Sequence, residues 1–288
     1  MNKEEAEKIY LQLAEERDDE WSMIKLAYIE MDRGNSEERL KWIQKALEKE
    51  YIDAYFELGF FYQFDEAYKD LEKAQQSYYQ AAQLGNPEGM NGLALIYYDM
   101  PDYKGDEQAF RWFSKSADLG DSLGLYYLAV MYENGFGTYS NKQKAWDLYL
   151  ASADQKFSPA YRKIAQLIEE GEAPASFTGR ELEYYIKAAE RNDIDAIHDV
   201  IRFLENDPDR KKELFSWCQR GAQLNDGKCI CKLGKLYFYG MGTEMDEFKA
   251  MNCFRKAETM EIPEAYYFLG LAYYEAKGVV SPNIQKAE

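Results

Sequence analysis

Apolar positions recur along this chain in two alternating helical patterns. The first pattern sets a leading apolar residue beside a small or apolar one, with further apolar residues three and four positions after the leader. It reads Leu58-Gly59, Phe61, Tyr62, then Leu93-Ala94, Ile96, Tyr97, then Leu128-Ala129, Met131, Tyr132. Further copies have leaders Ile164, Val200, Leu233 and Leu269, and a degenerate one begins at Leu26. Successive leaders are 32, 35, 35, 36, 36, 33 and 36 residues apart. A small residue stands four before the leader: Ala54, Gly89, Gly124, Ala160, Ala196, Cys229 and Ala265. Small, leader, aliphatic and aromatic at i, i+4, i+7 and i+8 share one face of an α-helix.

About 16 residues after each leader a second helical pattern follows. Its copies are Ala74, Tyr78, Ala81, Ala82, then Ala109, Phe113, Ser116, Ala117, then Ala145, Tyr149, Ser152, Ala153. Substituted copies start at Glu181, Leu214 and Ala250, and the opening Ala6, Tyr10, Leu13, Ala14 also fits. Small residues let two helix axes approach while aromatics fill the remaining space. "LGNPEG" and "LGDSLG" place Gly85 and Gly120 at the left-handed position that closes a helix. "GFGTYSNKQKAWDLY" from Gly135 returns as "GMGTEMDEFKAMNCF" from Gly240, three periods later. Each copy falls between a first and a second helix, where the chain must turn sharply. No strand precedes these glycines and no Gly-x4-Gly-Lys-Ser/Thr occurs, so neither phosphate-loop motif applies.

One helical pair cannot bury its apolar face alone, and neighbours must stack. The expected fold is all-α, a solenoid of helix-turn-helix repeats of about 35–36 residues. It is read as a single array over 1–288: leading helix 3–16, repeats 20–50, 51–85, 86–120, 121–156, 157–192, 193–225 and 226–261, and an incomplete repeat 262–288. "LAVMYENGFGTYSNKQKAWDLYLASA" and "LGKLYFYGMGTEMDEFKAMNCFRKAE" resemble the Sel1-like repeat family, relatives of the tetratricopeptide repeats with a longer loop inside each pair. The stretch 160–225 departs from that pattern, because "IEEGEAPASFTGRELEYYIKAAERN" lacks the Gly-x-Gly turn and "FLENDPDRKKELFSWCQRGAQLN" shortens the loop. The resemblance implies a right-handed α/α superhelix with the first helices on its concave surface. It also implies a non-enzymatic scaffold or adaptor for protein–protein interaction.

Composition narrows the partners. The 46% hydrophobic content, with 25 Tyr and 15 Phe, supports a large core. A net charge of −17 repels phosphate backbones and anionic lipid, so neither nucleic acid nor membrane is an expected partner. "MNKEEAEKIYLQLAEE" has no apolar h-region, and four Cys between 218 and 253 form no disulfide framework. The expected location is therefore cytoplasmic. The chain ends "GVVSPNIQKAE", where Lys286-Ala287 begins another second helix. That unfinished pair suggests truncation, a partner-covered end, or self-association by stacking on another copy.

Candidate chemistry is sparse, and no catalytic, cofactor or metal residue is assigned. His198 is the one histidine. Cys229-x-Cys231 with Cys218 and Cys253 invites a zinc reading, yet two residues on a helix point about 200° apart. Ser22-x-x-Lys25 lacks its companions Ser-Asp-Asn and Lys-Thr-Gly. A weak hydrolase, or the cell-wall-precursor and β-lactam binding of cysteine-rich family members, is the alternative function. The regular cysteine placement of those relatives is missing here.

Recognition residues are expected two before, two after and five after each leader, on a stripe away from the core. The candidates are Tyr28, Phe56, Phe60, Leu95, Tyr98 and Tyr126 in the apolar first half, then Arg162, His198, Arg202 and Lys235, then Phe238, Tyr267 and Tyr274. Exposed aromatics with Arg are the composition of binding hot spots. The expectation is a partner segment with apolar anchors at Phe56, Phe60, Leu95, Tyr98 and Tyr126 and a carboxylate at Arg162 or Arg202.

Overall fold

The computed structural model describes residues 3–100 and 103–275. Among them the chain forms helices only, and it divides into two compact units, Met1–Gln155 and Lys156–Glu288. The first unit holds α1 (Lys3–Glu16), α2 (Glu20–Asp32), α3 (Ser36–Glu48), α4 (Ile52–Phe64), α5 (Leu71–Gln83), α6 (Pro87–Tyr98), α7 (Tyr103–Asp118), α8 (Ser122–Asn134) and α9 (Lys142–Asp154). The second holds α10 (Ser158–Glu169), α11 (Glu181–Ala189), α12 (Ile194–Glu205), α13 (Lys211–Gln223), α14 (Gly227–Tyr239), α15 (Glu247–Glu258) and α16 (Pro263–Glu275). Within each unit every helix packs on its sequence neighbours, and first helices also touch across repeats, as α4 does α6 and α14 does α16. This is the predicted solenoid of helical pairs. The unfinished pair expected from Lys286-Ala287 lies outside the described residues.

Local chemistry starts and stops these helices. Asp70, Asn86, Asp121, Asn141, Asp193, Asp226 and Asp246 each accept the backbone N–H three residues on. Such a cap contributes about 1 kcal/mol. The second helices end on a left-handed residue, glycine at Gly85 and Gly120 but Glu50, Lys156, Asn192, Asn225 and Glu261 in the other repeats. In the paired Gly-x-Gly turns all four glycines have positive φ. The second of each pair also passes close to the preceding second helix. A Cβ on Gly137 would collide with the Asp106 carbonyl, and one on Gly242 with the Lys211 carbonyl. The motif is a turn pinned to its neighbour, not an anion cradle.

The core follows the repeat positions. Ala54, Ala160, Ala196 and Ala265 are fully buried, as are Tyr78, Phe113, Tyr149, Tyr185 and Phe254. Tyr78 lies between Gly59 and Gly92, where a Cβ would strike its ring. The residue five after the leader matches the large residue of the second helix. Tyr78, Tyr149 and Tyr185 donate to Gln63 (2.8 Å), Glu133 (2.6 Å) and Glu169 (3.0 Å). Where the second helix carries Phe113 or Phe254 instead, the facing residue is Tyr98 or Phe238, ring centroids 6.5 and 6.1 Å apart. A buried hydroxyl needs an acceptor, and a phenyl ring needs apolar cover.

Candidate functional site

The first unit carries an open apolar groove. On α4 the spacing i, i+4, i+8 lines up Phe56, Phe60 and Phe64, with the last two centroids 4.7 Å apart. With Gln63, Tyr78, Asn91, Leu95 and Leu123 they wall a space of about 280 Å³, bordered by Glu88 and Asp121. Glycine at position 92 leaves room for α6 to pass over the Tyr78 ring. An adjoining groove of about 320 Å³ shares Phe56 and Glu88 and adds Trp21, Ile24, Lys25, Tyr28, Tyr51, Asp53, Glu57 and Asn86. The structure thus brings together Tyr28, Phe56, Phe60 and Leu95.

A buried polar cluster lies beside them. Tyr28 donates to the Glu57 carboxylate, and burial pushes the Glu57 carboxyl and the Tyr28 hydroxyl up. Arg39 stands where the next repeats have Ala74, Ala109 and Ala145, and it is only 4% exposed. Its guanidinium lies 5.6 and 5.3 Å from the Phe60 and Phe61 ring centres. Its Nε and Nη2 have no hydrogen-bond partner among the described residues, and burial lowers its pKa. The sequence signal for this cluster was a cation at an alanine position.

Tyr98 and Tyr126 do not join the groove lining. Tyr98 packs edge-on against Phe113, Tyr127 and Phe136, and Tyr126 against Tyr127 and tilted on Tyr149. Phe64 and Leu123 take part instead. Phe64 was legible as the third member of an i+4 aromatic series, whereas Leu123 belongs to the next repeat and only packing places it here.

The second unit uses the equivalent positions differently. Arg162 donates to Asp195 (2.9 Å) and Asp199 (3.2 Å). Arg202 grips Glu169 with two bonds of 2.8 and 2.9 Å, holding that carboxyl below its ordinary range. Neither arginine is left waiting for a partner's carboxylate, contrary to the expectation. His198 Nε2 lies 2.9 Å from the capping carboxylate of Asp226, and Lys235 sits 5.7 Å over the Phe268 ring. Phe238 is 1% exposed, packed by Phe254 and Phe268, so it does not face a partner. Tyr267 and Tyr274 are exposed, at 66% and 68%.

The weaker chemical readings fare as follows. Ser22 is fully buried while Lys25 lies over the Trp21 and Tyr28 rings, so that pair is not presented to a substrate. Cys218, Cys229 and Cys231 are buried free thiols, and burial pushes Cys218 up to about 12. His198, Asp226 and Cys229 do place three ligand atoms within 4.8 Å of one another. Asp226 is already engaged as a helix cap there, and the adjoining cleft sets Arg202, Lys228 and Lys232 beside a single carboxylate, Glu205. Burial also holds the Cys229 thiol protonated, well above its ordinary range. This donor set fits a structural bridge between repeats better than a cation site. Among the described residues no helix is long and apolar enough to cross a membrane.

Comparison with known proteins agrees with the repeat geometry. The chain is 26% identical over 237 residues to an uncharacterised Sel1-like repeat-containing protein of Schizosaccharomyces pombe, covering 75% of this chain and 35% of that protein. A Sel1 repeat protein from Oxalobacter formigenes superposes with a TM-score of 0.67 at 21% identity, covering 93% of this chain and 80% of the other. A protective antigen of uropathogenic Escherichia coli with an SLR fold gives 0.59 at 24% identity, covering 98% and 66%. The Sel1 repeat model itself matches residues 52–86, 87–121, 122–157, 182–193, 227–260 and 263–288. The unmatched stretches include those where the Gly-x-Gly turn is lost, and with most of the chain matched, this protein belongs to the Sel1 repeat family.

Proposed function

We propose that this protein is a non-catalytic scaffold that holds a segment of a partner protein in the groove formed by α4, α6 and α8. Sel1 repeat proteins are generally protein-interaction scaffolds and typically non-catalytic. The observation that carries the reading is the open row of Phe56, Phe60, Phe64 and Leu95 on successive first helices. Burying one large apolar side chain in this groove contributes about 1.5–3 kcal/mol. Selection of a random-peptide display library on the full chain tests the proposal. Clones selected on wild type should lose roughly tenfold or more in affinity for Phe60→Ala, the equivalent of about 1.4 kcal/mol. Clones that bind Phe60→Ala as well as wild type contradict it.

A further inference from the structure

The charged side chains that line the groove are of one sign, the buried Arg39 lying behind Phe60. We infer that the groove's occupant is a basic-apolar segment of a partner protein, a stretch in which a large apolar side chain is flanked by lysine or arginine. This rests on the groove reading just given and names the chemistry of what fills it.

Three observations carry the inference. First, the charged side chains bordering the groove are Glu88 and Asp121, both carboxylates. The adjoining groove adds Asp53 and the buried Glu57, with Lys25 as its one cation. Lys25 is already held over aromatic rings, 4.7 Å from the Trp21 centre and 5.2 Å from that of Tyr28. An incoming carboxylate would meet like charge at close range, whereas a lysine or arginine meets two acids.

Second, one polar group in the wall, Gln63, is set to meet a peptide while its neighbour Asn91 is not. Asn91 is 5% exposed, and its Nδ2 donates to Asp121 at 2.7 Å. Because a carboxylate only accepts, that bond fixes the amide orientation, and Oδ1 is enclosed in the wall, out of a ligand's reach. Gln63 is partly exposed, its carbonyl takes the Tyr78 hydroxyl at 2.8 Å, and its amide N–H groups remain for a peptide carbonyl.

Third, the net charge of −17 draws cationic segments toward the chain and repels a second copy of it. Self-docking in this groove is therefore disfavoured. The apolar depth between Phe60, Phe64 and Leu95 selects the anchor, and Glu88 with Asp121 selects its neighbours.

The display selection separates this inference from the groove reading when it is also run on Phe64→Ala. Phe64 is exposed at the end of α4, so its removal leaves the fold intact, as circular dichroism would verify. The expected clones lose affinity for Phe64→Ala and are enriched in Phe, Leu or Trp beside Lys or Arg. Their binding should fall roughly tenfold in Glu88→Lys and weaken as salt rises. Glu244→Lys, the same charge change on an exposed loop outside the groove, should shift it less than about twofold. Phe64-dependent clones that are neutral or acidic would leave the groove reading standing and overturn the basic class. Basic clones indifferent to both Phe64→Ala and Glu88→Lys would show diffuse attraction to an acidic surface and overturn both. An absence of Phe64-dependent clones would overturn the groove itself.

Discussion

Positions two before and two after the leader carry Phe56, Phe60 and Leu95 in the first unit, but Arg162, His198 and Arg202 in the second. The backbone frame at these places is the same. In the first unit the side chains line open space, and in the second each is tied to a carboxylate of a neighbouring repeat. A solenoid position is therefore a site only where its chemistry leaves something unsatisfied. Aromatic rings at a groove mouth keep apolar surface in contact with water, whereas an arginine gripping Glu169 by two bonds has already found its ligand.

The largest expected effect strikes the frame that both units share. Gly137→Ala in the first unit and Gly242→Ala in the second combine left-handed strain with a carbonyl collision. Each should destabilise its own unit by about 2–4 kcal/mol, measured by denaturant unfolding. A loss below about 0.5 kcal/mol would show that the turn relaxes freely.

Next comes the buried cation particular to the first unit. Arg39→Met replaces an arginine with unpartnered N–H groups by an apolar chain of similar reach. Stability should rise by about 1–3 kcal/mol in the same measurement. A decrease would mean that attraction to Glu57 and Asp65, the acids nearest in charge, outweighs desolvation.

Acid should then act on the two units with opposite sign. Glu169 is held below its ordinary value of 4.5 by Arg202, so its contribution is present above that value and lost as pH falls through the lowered one. Burial raises Glu57 above the same 4.5, so stability favours its protonated form and is lost as pH rises through the raised value. Acidification from neutral should loosen α10 and α12 while relieving the strain of an ionised Glu57 in α4. Hydrogen exchange followed by mass spectrometry reads both helices in one sample. Glu169→Gln should flatten the acid response of α12.

The smallest effect concerns the helix ends. Glu50→Gly and Glu261→Gly place glycine at left-handed positions where other repeats already have it. Each should stabilise its unit by about 0.5–1 kcal/mol, net of the entropy glycine adds to the unfolded chain.

The helical pairs and the small-residue contacts were readable from the sequence because they repeat, and repetition averages out local exceptions. Part of the proposed groove was legible as well, since Phe56 and Phe60 need only helical spacing to share a face and the repeat period adds Leu95. What failed was context across helices. Phe238 looked like a stripe residue, yet Phe254 on the facing helix draws it into the core. Arg162 and Arg202 looked available, yet Asp195, Asp199 and Glu169 reach them from other helices of the same unit. No single-helix pattern carries that information. Arg39 shows a signal that was passed over, because its departure from an alanine column is visible in the sequence but only packing showed it buried.

The contrast between an open apolar groove and self-paired arginines is tested most directly by mapping hydrogen exchange in the full chain with a selected peptide bound. New protection confined to α4, α6 and α8, unchanged by Arg162→Ala and Arg202→Ala, is the expected result. New protection confined to α10, α12 and α14 would contradict it.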